Sequence, residues 1–85
     1  MKVTFKRRNL HLSCNCKLMS KAENRILTSF TVKTEDLHTT KLYKEVIEEA
    51  DRVLIFEEDD GIEFKVLTVA VVNYEDYSII RINCN

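Results

Sequence analysis

The chain has 85 residues, of which 45% are hydrophobic and 32% are charged. This length supports one hydrophobic core, so we predict a single domain over residues 1–85. The composition is too apolar for a disordered chain and too charged for a membrane-embedded one. With one glycine and no proline, the sequence also lacks the glycine-rich loops that hold nucleotide phosphates, which excludes the common nucleotide-binding motifs.

The N-terminal third has the two-residue periodicity of β-strands. Val3 and Phe5 alternate with polar residues, and residues 7–9 end this first strand. A second strand follows, whose residues of one parity are Leu10, Leu12, Cys14, Cys16 and Leu18. A turn at residues 20–24 leads to a third strand over residues 26–33. Since links this short cannot make parallel crossovers, the three strands should form an antiparallel meander.

The middle of the chain changes to helical periodicity. Glu35 and Asp36 suit the N-terminus of a helix. One apolar stripe then follows at Leu42, Tyr43, Val46, Ile47 and Ala50. These positions lie on one side of a helix, so we predict an amphipathic helix that packs against a sheet.

The second half returns to strand periodicity. Residues 53–56 are an apolar run, and the Asp60-Gly61 dipeptide marks a hairpin turn. Strand periodicity then continues over residues 62–73. Between residues 66 and 72 both parities are apolar, which predicts that this strand is central, is covered on both faces and lies under the helix. A last strand covers residues 77–84, with Ile80 and Ile82 on one face.

Together these elements predict an α+β fold. It would be an antiparallel sheet of about six strands, in the chain order β-β-β-α-β-β-β, with the amphipathic helix packed on a face. Two three-stranded sheets that share the helix are the alternative. No residue pattern recurs between the two halves of the sequence.

The charges are strongly segregated along the chain. Residues 1–33 hold eight basic side chains and one acidic, whereas residues 34–85 hold five basic and thirteen acidic. A dense negative surface can occupy a protein groove built for phosphates. The predicted acidic contact surface consists of Glu45, Glu48, Glu49, Asp51, Glu57, Glu58, Asp59 and Asp60. The alternative is that these acidic residues form an ordinary solvent-exposed surface without a partner. Lys41 and Lys44 lie four residues before Glu45 and Glu48 on the predicted helix, so they would neutralise part of the negative charge.

We therefore predict a small non-catalytic inhibitor that mimics DNA and binds a protein partner, which we expect to be a nucleic-acid-binding enzyme. A bacteriophage-encoded inhibitor of host defence, for example an anti-CRISPR protein, fits the small size and the absence of motifs. The alternative is a small nucleic-acid-binding protein. Its contact surface would be the basic N-terminal third, with Lys6, Arg7, Arg8, Lys17, Lys21 and Arg25.

No catalytic or metal site is expected. Cys14 and Cys16 have the spacing of strand residues rather than of a zinc knuckle, and His11 has the opposite parity. Glu63 and Lys65 resemble part of a magnesium-dependent nuclease site, but they are more simply the solvent face of a strand. We predict no enzymatic activity and no cofactor. The odd number of cysteines in a chain without a signal sequence indicates reduced thiols.

The location and the self-association of the protein can also be predicted. The N-terminal segment has no secretion signal, and the longest uncharged stretch, residues 66–74, is too short to cross a membrane. We expect a cytoplasmic protein that does not bind membranes. Because residues 77–84 carry one charge and no proline, they would pair with a second copy if they formed a sheet edge, which would give a twofold dimer.

Overall fold

The computed structural model describes residues 2–21, 28–57 and 60–85, and for residues 20, 21, 55–57 and 60–62 it describes the backbone alone. The elements are β1 (Lys2–Arg7), β2 (Leu10–Asn15), β3 (Lys17–Lys21), β4 (Thr28–Thr34), α1 (Leu37–Glu48), β5 (Arg52–Glu57), β6 (Asp60–Phe64), β7 (Val66–Asn73) and β8 (Ser78–Cys84). Within this part of the chain, no helix is long and apolar enough to cross a membrane.

The predicted α+β class is confirmed, but the strands form two sheets rather than one. The first sheet has the order β2-β1-β5-β6 and the second sheet β3-β4-β8-β7, and all neighbouring strands are antiparallel. The prediction of about six strands is wrong because two of the predicted strands are each two strands. The chain passes from the first sheet to the second at Cys16, between β2 and β3, and again at Lys65, between β6 and β7.

The two halves of the chain have the same connectivity. Each half forms a hairpin in the first sheet and then a hairpin in the second sheet. The halves meet where β1 pairs with β5 and where β4 pairs with β8. The fold thus contains a structural repeat that no residue pattern in the sequence reveals.

The two sheets and the helix share one core. Val3, Phe5 and Val53 of the first sheet, and Phe30 and Ile82 of the second, are almost completely buried in it. The helix contacts β1 and β2 of the first sheet and β4, β7 and β8 of the second. Because the inner faces of both sheets border the same core, the alternation of apolar residues continues across the Cys16 junction, and periodicity alone could not reveal it.

The predicted apolar stripe of the helix is only partly buried. Ile47 and Ala50 are buried, and Tyr43 and Val46 are half-buried. Leu42, however, is 48% exposed. The helix begins as expected after Asp36, whose carboxylate accepts hydrogen bonds from the Thr39 backbone N–H at 2.7 Å and from the Thr39 hydroxyl at 2.8 Å. These bonds lower the pKa of Asp36 below its usual value.

The positions of the last two strands are the reverse of those predicted. Strand β7 is an edge strand of the second sheet, and Leu67 and Val72 are each 49% exposed. A bulge between Val66 and Thr68 shifts the register, so that Val66, Val69 and Val71 all face the core. This shift explains why core-facing residues occur on both parities, with Val66 on one and Val69 and Val71 on the other. Strand β8 pairs with β4 and with β7, so it is an inner strand and cannot form the edge-paired dimer predicted for residues 77–84.

Candidate functional site

The turn between β1 and β2 has an unusual backbone conformation. Arg8 and Asn9 form the link between Arg7 and Leu10, which are paired. Arg8 has a φ of 50°, the one positive φ among the described residues other than glycine. This left-handed conformation costs an ordinary L-residue about 1–2 kcal/mol, and glycine or asparagine normally occupies it. Strain of this kind is found at binding sites more often than elsewhere.

Basic side chains converge on a shallow cleft beside this turn. The cleft has a volume of about 330 Å³, and its lining residues are Lys6, Arg8, His11, Asp51 and Arg52. We call it the basic cleft. Lys6 lies opposite His11 on β2 and opposite Arg52 on β5, so three neighbouring strands of the first sheet contribute to it. The Asp51 backbone N–H donates to the Lys6 carbonyl at 3.0 Å, which holds the start of β5 beside β1.

The basic side chains of the cleft are largely free to bind an anion. Among the described residues, neither Lys6 nor Arg8 forms an ion pair. Arg52 lies 3.8 Å from the Glu63 carboxylate, but both side chains are more than half exposed, so water weakens this pair. Of the described residues in the lining of the cleft, Asp51 is the one that is acidic.

The structure divides the predicted basic surface. Lys6 and Arg8 lie in the basic cleft, whereas Arg7 forms an ion pair with Glu49 after the end of the helix. Lys17 lies on β3 in the second sheet. The backbone of Lys21 is in the same strand, but its side chain lies outside the description, as does all of Arg25.

His11 and Arg52 belong to the cleft but were missing from the predicted basic surface. Arg52 belongs to the acidic half of the chain, and its nearness to Lys6 depends on the pairing of β1 with β5. In the predicted second strand, His11 alternates with Cys14 and Cys16, so the sequence predicts that its side chain lies on the opposite face from theirs. The sequence does not indicate that it points toward Lys6.

The predicted acidic surface is interrupted by basic residues where its side chains are described. Glu48 pairs with Lys44 at 3.6 Å, Glu49 pairs with Arg7, and Asp51 lines the basic cleft. Glu45 is exposed on the helix.

The rest of this surface belongs to the β5–β6 hairpin. The backbones of Glu57 and Asp60 are paired at the end of the two strands, and their side chains are not described. Glu58 and Asp59 lie outside the described residues. The end of β5 at Arg52 borders the basic cleft, so the paired Glu57 and Asp60 lie at the opposite end of the first sheet.

Cys16 and Cys84 are buried, and Cys14 is half-buried. The sulfur atoms of Cys14 and Cys16 are 3.8 Å apart. A hydrogen bond from the Cys16 thiol lowers the pKa of Cys14, while the same bond and burial raise that of Cys16. Burial raises the pKa of Cys84 to about 11. In the described part of the chain, no group of three or more His, Cys, Asp or Glu side chains is placed to hold a metal ion.

Comparison of the chain with models of protein families, with curated proteins and with solved structures found no significant match.

Proposed function

We propose that this protein is a non-catalytic binding protein that holds the phosphate backbone of a nucleic acid in the basic cleft. The observation that carries the proposal is the convergence of Lys6, Arg8 and Arg52 from separate strands and a turn on one cleft. Arginine suits this task because its planar guanidinium group donates two parallel hydrogen bonds to phosphate oxygens. The strained backbone of Arg8 supports the same conclusion, since local preference favours a different residue there.

The lining of the cleft also indicates the mode of binding. Among the described residues that line it, none is Phe, Tyr or Trp on which a base could stack, and His11 is the one ring-bearing side chain. Contacts to phosphate fix the position of a nucleic acid but do not read its sequence. We therefore expect binding with little preference for sequence and a strong dependence on salt.

The proposal is tested by fluorescence anisotropy with labelled single-stranded and double-stranded oligonucleotides over a range of salt concentrations. Each phosphate contact contributes about −0.7 (single strand) or −0.9 (duplex) to the slope of log K against log salt. Lys6→Ala, Arg8→Ala and Arg52→Ala should each weaken binding and reduce the slope by about one such step.

The matched control is Lys17→Ala, which removes the same charge from the second sheet. It should change binding much less than the three cleft variants. The proposal is wrong if the native protein binds neither oligonucleotide at low salt. It is also wrong if Lys17→Ala weakens binding as much as Arg8→Ala does.

A second proposal keeps the acidic surface as the contact with a protein partner, as in a DNA-mimicking inhibitor of host defence. Its support is the pairing of Glu57 with Asp60, which brings the two ends of a run of four acidic residues together. Charge reversal of Glu57, Glu58, Asp59 and Asp60 to lysine should then abolish capture of a nucleic-acid enzyme, whereas Arg8→Ala should not. If the reversed variant still captures the enzyme, this second proposal is wrong.

A further inference from the structure

The outer edge of the second sheet is uncharged along a whole strand. Strand β7 has the sequence VLTVAVVN, and it pairs with β8 on one side only among the described strands. Natural edge strands are usually protected from pairing by charged residues, by proline or by a bulge. Here the bulge lies at Leu67, near the start of the strand. Residues 68–73 remain regular and without charge.

We propose that a second copy of this chain pairs with β7 in antiparallel fashion across a twofold axis, which joins the two second sheets into one sheet of eight strands. A twofold axis perpendicular to the sheet keeps the core-facing sides of the two copies on the same side of the joined sheet. Odd-numbered residues must then pair with odd-numbered residues of the partner, and even-numbered residues with even-numbered ones. A register centred on Ala70 satisfies this condition. It also places the bulge at the end of the paired segment.

The side chains in this register are complementary. Val69 lies opposite Val71 of the partner subunit, and both face the core side of the sheet. Thr68 lies opposite Val72 of the partner subunit on the outer face. Cross-strand pairs of β-branched residues such as these stabilise antiparallel sheets. Ala70 lies on the axis, where the small side chains of two copies meet without a clash.

The charges that flank the strand favour antiparallel rather than parallel pairing. Lys65 precedes β7, whereas Glu75 and Asp76 follow it. In the register centred on Ala70, Lys65 extends toward Glu75 of the partner subunit, and the twofold axis repeats this contact. A parallel arrangement would place like charges beside each other. The signs of the flanking charges therefore select a second copy in the antiparallel direction.

The helix leaves the edge open to this contact. Leu37, Lys41 and Lys44 line a groove of about 170 Å³ together with Val71 and Asn73 of β7. Leu37 is 68% exposed beside this groove. A second copy at the edge would cover apolar surface of the helix as well as of the strand, which adds to the stability of the pair.

The test is the mass of the native protein by light scattering at tens of micromolar concentration, at low salt and at 1 M salt. We expect twice the chain mass of 10.0 kDa under both conditions. Backbone hydrogen bonds and apolar contacts persist at 1 M salt, where the Debye length is about 3 Å, whereas a dimer held by surface charges alone would dissociate.

Substitutions at the axis make the test specific. Ala70→Lys and Ala70→Glu should each raise the dissociation constant of the dimer by about 100-fold or more, because like charges meet across the axis. An equimolar mixture of the two variants should dimerise again. This recovery requires folded chains, so it separates a lost interface from a lost fold.

The matched control is Asn15→Lys on β2, an exposed position on an edge of the first sheet. It should leave the dimer intact. The proposal is overturned if the native protein has the mass of a single chain at both salt concentrations. It is equally overturned if Ala70→Lys remains dimeric, or if the mixed variants do not associate.

Discussion

The β1–β2 turn and the β7 edge expose very different surfaces for binding. Arg8 lies in the turn, directly after Arg7 at the end of β1, and its backbone is held in a conformation that arginine does not favour. The β7 edge has no charge on eight residues, and among the described strands β7 pairs with β8 alone. Charged groups on a strained turn suit an anionic ligand, whereas an uncharged edge suits another strand. The fold therefore separates the proposed ligand-binding region from the proposed self-pairing region.

The first way to sharpen this contrast is to compare the two neighbouring arginines. Arg8→Ala should weaken oligonucleotide binding by about 10- to 100-fold, since a hydrogen bond between charged groups contributes about 1.5–3 kcal/mol. Arg7→Ala should have a much smaller effect, because Arg7 is already paired with Glu49. Anisotropy titrations at one salt concentration measure both. Equal losses of affinity would contradict the assignment of Arg8, and not Arg7, to the basic cleft.

The cysteines give a second contrast between the two sheets. Cys14 on β2 is half-buried and its pKa is lowered by the Cys16 thiol, whereas Cys84 on β8 is fully buried and its pKa is raised to about 11. Only the thiolate reacts with iodoacetamide. At pH 8, Cys84 is almost entirely protonated, so Cys14 should be alkylated about tenfold faster or more.

Mass spectrometry of the labelled peptides measures these rates. As the pH rises toward 11, the reaction of Cys84 should accelerate more than that of Cys14, because the Cys84 thiol is the one still losing its proton. Cys14→Ser provides the control, since it should remove the fast reaction and leave the slow one. Fast labelling of Cys84 at pH 8 would show that β8 is not the protected inner strand described above.

The comparison also shows which features the sequence could predict. The helix, its start after Asp36 and the strand character of both halves follow from local periodicity and capping, and these predictions are confirmed. The division into two sheets does not follow, because Cys16 continues the apolar alternation through the junction. The place of β7 at an edge does not follow either. A strand with a bulge and a strand buried on both faces each have apolar residues at odd and even positions, so the sequence pattern does not distinguish them.

The candidate site was only partly predictable for a related reason. Lys6 and Arg8 could be singled out because they lie in the basic third of the sequence. Arg52 could not, because it reaches the cleft through the pairing of β1 with β5, which joins segments more than forty residues apart. The sequence shows whether the net charge of a segment is positive or negative. Which charged side chains lie close together is decided by the pairing of strands that are distant in the sequence.

The smallest expected effect concerns the strain at Arg8. Arg8→Gly removes a cost of about 1–2 kcal/mol for the left-handed backbone, while the greater freedom of glycine in the unfolded chain returns about 0.5–1 kcal/mol. The free energy of unfolding should therefore rise by about 0.5–1 kcal/mol, as measured by urea denaturation, even though the variant loses affinity for oligonucleotides. Arg8→Ala is the control, because it removes the same side chain but keeps the strain, and it should not gain stability. Such a gain from a glycine at position 8, together with lost binding, would show that arginine is kept there for its side chain. A loss of stability in Arg8→Gly would instead show that the turn needs the arginine for folding.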